Sequence, residues 1–267
     1  MLIPTPRPIL SLILPTLNER ENVEQFVPEL LAGLPTIGEI IVVDDGSEDG
    51  TQEAVARLAD ADPRVKLCRR SAPPSLADAI AHGISLARGE LVGWVDADLV
   101  MAPADLGRLV GAVERGADVA IGSRFAPGGR IKGQHRDGVA GRLLAFGNLR
   151  TTKDSWLGVF LSWALNAIVL PPLVGATARD YTSGIIVARR SALDGVALRG
   201  HHGEYFIHLW ATLLSRGARV VEVPYRVRPR RFGRSKTGSS LRDYAVRGAR
   251  YLAAGMEAGS VLRAAGK

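Results

Sequence analysis

At 267 residues, with 46% hydrophobic and 23% charged side chains, the chain has the composition of a globular domain with a sizeable core, which excludes a disordered or fibrous protein. Its one cysteine, Cys68, excludes an internal disulfide framework and a cysteine-built metal centre, and suits a reducing compartment. The net charge of +7 is concentrated in residues 219–250, where ten Arg or Lys face only Glu222 and Asp243; such a cluster favours phosphates, on a nucleotide, a nucleic acid or an anionic lipid surface.

The first apolar run, residues 9–14, is too short for a signal-peptide core and reads as a buried strand. Further strands are expected at 39–44, 65–69, 91–95 and 118–122, alternating with helices at 21–33, 51–61, 76–88 and 104–115. In the first helix Val23, Phe26, Val27, Leu30 and Leu31 form one apolar stripe, and Pro103 stands at the start of the last. This alternation predicts an α/β fold with a mostly parallel central sheet. Residues 125–147 change character, with six glycines and the basic residues Arg130, Lys132, Arg136 and Arg142, and read as a mobile loop. Residues 155–178 carry no formal charge and include Trp156, Phe160 and Trp163. The sixteen residues before Pro171 and Pro172 fall short of the ~20 needed to span a bilayer, so a packed helix is expected ahead of an interfacial one. Residues 1–240 are expected to form one catalytic domain, and 241–267 an Ala-rich helical tail with no spanning helix.

The polar clusters of the first half all follow proposed strands. Pro15-Thr16-Leu17-Asn18-Glu19 follows the first, Asp44-Asp45-Gly46-Ser47 the second, Asp96-Ala97-Asp98 the fourth and Gly122-Ser123-Arg124 the fifth. The carboxyl edge of an open α/β sheet is where ligands bind. A strand sends residues i and i+2 to one side, so Asp96 and Asp98 can converge where the fourth strand opens into a loop, and a divalent cation held there can clamp a diphosphate. A Gly-x-Gly-x-x-Gly fingerprint and a Walker lysine are both missing, which removes the usual dinucleotide and P-loop readings. His82, His135, His201, His202 and His208 share no catalytic spacing.

These clusters, together with Asp180-Tyr181-Thr182-Ser183-Gly184, Glu222-Val223-Pro224 and the stretch from Arg230 to Lys236, resemble the family 2 glycosyltransferases of the GT-A fold. Within that family the resemblance is to dolichol-phosphate and polyprenol-phosphate mannosyltransferases, with Arg230, Gly233, Ser235 and Lys236 similar to their R-x-x-G-x-S-K element. The resemblance implies a Rossmann-like nucleotide-sugar-binding fold and transfer of a hexose, mannose before others, from a nucleotide-diphosphate sugar such as GDP-mannose to a polyprenyl or dolichyl phosphate, with inversion. It implies that Pro15, Leu17, Glu19, Val43 and Asp45 line the nucleotide. Asp96, Ala97 and Asp98 would meet the ribose, the diphosphate and Mg²⁺ or Mn²⁺, while Arg124, Arg230 and Lys236 neutralise phosphates. A saccharide or small-metabolite hydroxyl is the alternative acceptor and would need a base, for which Asp180 is the candidate; a non-catalytic nucleotide-sugar or nucleic-acid binder ranks last. No nucleic-acid partner is expected, and the expected location is the cytoplasmic membrane surface, reached by peripheral contact. Three positions depart from the family pattern. Val100 stands where a polar metal helper is common, Ser75-Leu76-Ala77-Asp78-Ala79 replaces a glycine-rich segment, and Arg234 replaces a common Glu. The first predicts a weak metal site that depends on the donor.

Overall fold

The computed structural model describes residues 10–131, 134, 156–175, 178–200, 202–229, 231–232 and 241–267. Its first half alternates β1 (Leu10–Thr16), α1 (Arg20–Gly33), β2 (Ile37–Asp44), α2 (Thr51–Ala61), β3 (Val65–Arg69), α3 (Leu76–Leu86), β4 (Leu91–Trp94), α4 (Pro103–Glu114) and β5 (Val119–Ser123). Each lies within two residues of the element expected from the sequence pattern. Of the glycine-rich segment 125–147, only 125–131 and 134 are among the described residues. The second half adds α5 (Trp156–Ala164), a π-turn at Leu165–Val169, α6 (Leu170–Val174), β6 (Ile186–Arg189), α7 (Tyr205–Ser215), β7 (Val220–Pro224) and α8 (Leu241–Ala264).

The seven strands lie in the order β3-β2-β1-β4-β6-β5-β7. All neighbours are parallel except β6, which runs antiparallel between β4 and β5. Strand periodicity divides the core: Leu10, Leu12 and Leu14 of β1 pack with α1, α2 and α4, whereas Ile13 faces α3, α6, α7 and α8 on the other side. Both faces of the sheet are covered by helices, which is why its strands read as nearly continuous apolar runs.

The uncharged stretch forms α5, the π-turn and α6 instead of one straight helix. Pro171 and Pro172 have no N–H to return to the carbonyls four residues earlier, and the turn before them widens, with the Leu170 N–H bonded to the Leu165 carbonyl. Leu170 and Val174 enter the core, while Phe160, Leu161 and Ile168 are 39%, 38% and 60% exposed. Among the described residues no helix is long and apolar enough to cross a membrane.

Candidate functional site

The carboxyl ends of β1, β2, β4 and β5 meet on one edge of the sheet, and their loops are tied to one another. Asn18, after β1, has a left-handed backbone (φ 54°) and bridges to the loop after β2: its N–H donates to Ser47 Oγ (2.8 Å) and its Oδ1 accepts from the Glu48 N–H (2.8 Å). Asp44 is fully buried and accepts from Thr16 Oγ1 (3.0 Å), Ser47 N–H (2.9 Å) and Oγ (2.5 Å), and Gln52 Nε2 (2.7 Å). Burial works against its charge, but these donors outweigh it and hold the carboxyl below the usual Asp range. Asp44 therefore serves as the fixed post of the loop.

The neighbouring Asp45 turns elsewhere. It pairs with Arg70, at the end of β3, and accepts from the Ser75 N–H (2.8 Å) that opens α3. Glu19 is half-buried, accepts from Asn22 Nδ2 (2.5 Å), and donates its N–H to Thr51 Oγ1 (2.9 Å). Pro15 and Leu17 are half-buried on the same rim. Val43 and Ala97 differ from these, since both side chains are buried in the core and can offer a ligand only backbone.

Asp96 lies exposed just beyond β4, and Asp98 is 9% exposed beside the apolar Val95, Ala97 and Leu99. Leu99 takes φ 63°, a left-handed conformation uncommon for a side chain of its size, which fixes how the loop leaves Asp98. Trp94 Nε1–H donates to the Tyr205 hydroxyl (2.9 Å), anchoring the strand end from α7. Val100 is buried, and its carbonyl accepts from the Arg228 N–H (2.9 Å), so the segment after β7 is fastened to the Asp96–Asp98 loop. Burial raises the hydroxyl pKa of Tyr205 and Tyr225 well above the ordinary value and that of Tyr251 to about 12, and in all three the charge of Asp96 pushes the same way. The three phenols thus stay neutral within reach of the Asp96 charge.

Arg124 and Asp180 form the second cluster. Asp180 is fully buried and accepts from the Arg124 N–H (2.9 Å), Nε (2.8 Å) and Nη2 (2.6 Å). Arg124 Nη2 also donates to Thr182 Oγ1 (2.8 Å), and the guanidinium lies 5.3 Å from the Phe125 ring centre. Burial opposes the Arg124 charge, but the Asp180 carboxylate more than restores it. Glu222 of β7 holds the same loop by accepting from the N–H groups of Arg179 and Asp180, each at 3.0 Å. Asp180, the candidate base for a hydroxyl acceptor, is thus a buried counter-ion with its oxygens engaged. Arg230 and Lys236, to which the family resemblance assigns phosphate, lie outside the described residues, as does Arg234. Of that element, Arg231 reaches Gln25 Oε1 (3.3 Å), and Phe232 lines a cleft of about 510 Å³ with Asn18, Glu19, Asn22 and Asp49.

The donor chemistry at Asp96 and Asp98 fits a divalent cation: hard carboxylate oxygens at a strand end, with Asp96 open to solvent. Among the described residues no group of three or more His, Cys, Asp or Glu side chains is placed to hold a metal ion. Sequence reasoning missed Arg70, Tyr205, Tyr225 and Asn166. Arg70 had a signal, since it follows β3 on the very edge that carries the other clusters. The tyrosines had none, because distant parts of the chain bring them to the site.

The sequence profile described as Glycosyl transferase family 2 matches residues 11–165. A polyprenol monophosphomannose synthase from Mycolicibacterium smegmatis is 35% identical over 248 residues, covering 90% of this chain and 84% of that protein. A dolichol-phosphate mannosyltransferase from Pyrococcus furiosus is 30% identical over 238 residues, covering 88% of this chain, which spans only 61% of that longer protein. Among solved structures, glucosyl-3-phosphoglycerate synthase from Mycobacterium tuberculosis, in complex with Mn²⁺, UDP and glucosyl-3-phosphoglycerate, superimposes with a TM-score of 0.64 at 19% identity, over 96% of this chain and 81% of that one. That likeness shows the GT-A arrangement of the sheet.

Proposed function

Because the chain belongs to glycosyl transferase family 2, we propose that it moves a hexose, mannose before others, from a nucleotide-diphosphate sugar to the phosphate of a polyprenol. The observation that carries the reading is the convergence of Asp96 and Asp98 with Arg124 on one sheet edge, in a chain whose relatives are named for polyprenol and dolichol phosphates. Glu19 and Asp45 offer acceptors to the base and ribose of the donor. Asp96 and Asp98 hold Mg²⁺ or Mn²⁺, which when bound supplies positive charge to the departing diphosphate. Arg124, planted on Asp180, presents a fixed positive edge to a phosphate. An acceptor phosphate oxygen forms the new bond to the anomeric carbon from the face opposite the breaking bond to the diphosphate, and the configuration inverts.

A lipid phosphate is ionised near neutral pH, so this attack needs no strong base. A hydroxyl acceptor does need one, and Asp180, enclosed and bonded to Arg124, is poorly suited to the task. The exposed Phe160, Leu161 and Ile168, with the basic residues between 219 and 250, support peripheral contact with an anionic membrane surface where such an acceptor resides. The test is turnover of the purified protein with GDP-mannose, UDP-glucose and UDP-GlcNAc, each with a polyprenyl phosphate and Mg²⁺ or Mn²⁺. Lipid-linked mannose is the expected product, and no lipid-linked sugar from any donor overturns the proposal.

A further inference from the structure

Asn166 is a polar residue in the middle of the least polar stretch of the chain, on the π-turn between α5 and α6, and it is 2% exposed. Every hydrogen-bonding group of its side chain is used. Nδ2 donates to the Ser162 carbonyl (2.8 Å) and to Thr182 Oγ1 (2.8 Å), and Oδ1 accepts from the Tyr181 N–H (2.6 Å). The amide orientation follows from these partners, because a flipped side chain would set an NH₂ against the Tyr181 N–H. Thr182 Oγ1 also accepts from Arg124 Nη2 (2.8 Å), so both its lone pairs are taken by nitrogens that fix one another. A buried amide is costly unless fully bonded, and the π-turn is what carries this one to the Asp180–Thr182 loop.

We propose that Asn166 is a positioning residue for Arg124: through Thr182 Oγ1 it sets the plane of the guanidinium that meets substrate phosphate. Asp180 alone fixes the Nε and Nη2 edge. The added bond to Thr182 restricts rotation about that edge, and Asn166 keeps Thr182 from turning away. The inference rests on the phosphate-binding role given to Arg124 above, but its first test needs no turnover.

In protein labelled with ¹⁵N-arginine, the Arg124 Nε–H resonance is identified by its loss in Arg124→Lys. The expected wild-type signal is protected from solvent exchange, with exchange faster by about tenfold in Asn166→Ala and in Thr182→Val and near wild type in Thr182→Ser. An unprotected wild-type signal, or protection unchanged in both Asn166→Ala and Thr182→Val, overturns the proposal. In the transfer assay, kcat/KM falls by about tenfold in Asn166→Ala, and the same substitution made on Arg124→Lys has no further effect. A loss that persists undiminished on Arg124→Lys also overturns it, since a general structural defect does not need Arg124. Wild-type protein without turnover counts against the proposed function, while the exchange measurement still decides the role of Asn166.

Discussion

Asp44 and Asp45 are adjacent carboxylates of the same charge whose surroundings give them different work. Asp44 is consumed by hydrogen bonds from its own loop, and its folded pKa lies below the ordinary Asp value of 3.8. A depressed folded pKa contributes stability that is fully present above the unfolded value and is lost as pH falls through the folded one. Asp44→Asn is therefore expected to cost about 1–3 kcal/mol at pH 7, with the gap to wild type closing below pH ~4, which urea unfolding at pH 7 and pH 3 will measure. Asp180→Asn should cost more, about 3–5 kcal/mol, because it leaves the largely enclosed Arg124 without its counter-charge; the same urea series checks it, and a loss under 1 kcal/mol would show the pair to be solvated. Asp96, in contrast to these two, is exposed to solvent just beyond β4. Asp96→Asn is expected to keep the melting temperature and lower turnover by about 10²–10³, along with the Mn²⁺ requirement. The D-x-D pair was legible in the sequence because strand periodicity places it. Asp180 could be seen in its motif, but its pairing with Arg124 could not, since the two stand 56 positions apart and meet only in the fold.

At the scale of elements, the alternation from β1 to β5 was legible because every strand but the edge strand β3 is buried on both faces and each helix carries a stripe. The insertion of β6, antiparallel between β4 and β5, was not, since four residues with ordinary strand composition do not say which neighbours they join. The last helix was legible as an Ala-rich helix but read as a tail, because its packing face is made of small residues. Ala254, Ala258 and Leu262 are buried, and Gly255 and Gly259 let α6 come close, with Leu170 and Leu173 filling the space their side chains lack. A Cβ at Gly259 would run into the Leu173 carbonyl oxygen. Gly259→Val is expected to lose about 1–3 kcal/mol or more. Gly248, with nothing within 4 Å of a Cβ, should instead gain about 0.5–1 kcal/mol as Ala through helix propensity. Thermal melts of the two variants should move in opposite directions. A loss in both would mean that α8 tolerates no added bulk, and the close approach of α6 would not be the reason.

For the molecule as a whole, charge and exposed apolar surface belong to the same half of the chain. The basic excess falls within residues 219–250, and among the described residues seven of the eight exposed large hydrophobics, including Phe160, Ile168, Leu252 and Met256, come from α5, the π-turn and α8. An anionic bilayer rewards both features: about 1 kcal/mol for each Lys or Arg near the surface, and roughly 25 cal/mol for each Å² of apolar area withdrawn from water. The two terms respond differently to salt, which screens the first and leaves the second. Sedimentation with anionic liposomes is therefore expected at low salt and should weaken, without vanishing, at high salt. Ile168→Glu and Met256→Glu together should remove the salt-resistant part while leaving the melting temperature near wild type, since both side chains are more than half exposed. If binding disappears entirely in salt for the wild-type protein, the contact is electrostatic alone and α5 and α8 do not enter the interface. If the double variant binds as wild type does at high salt, some other part of the chain supplies the apolar term.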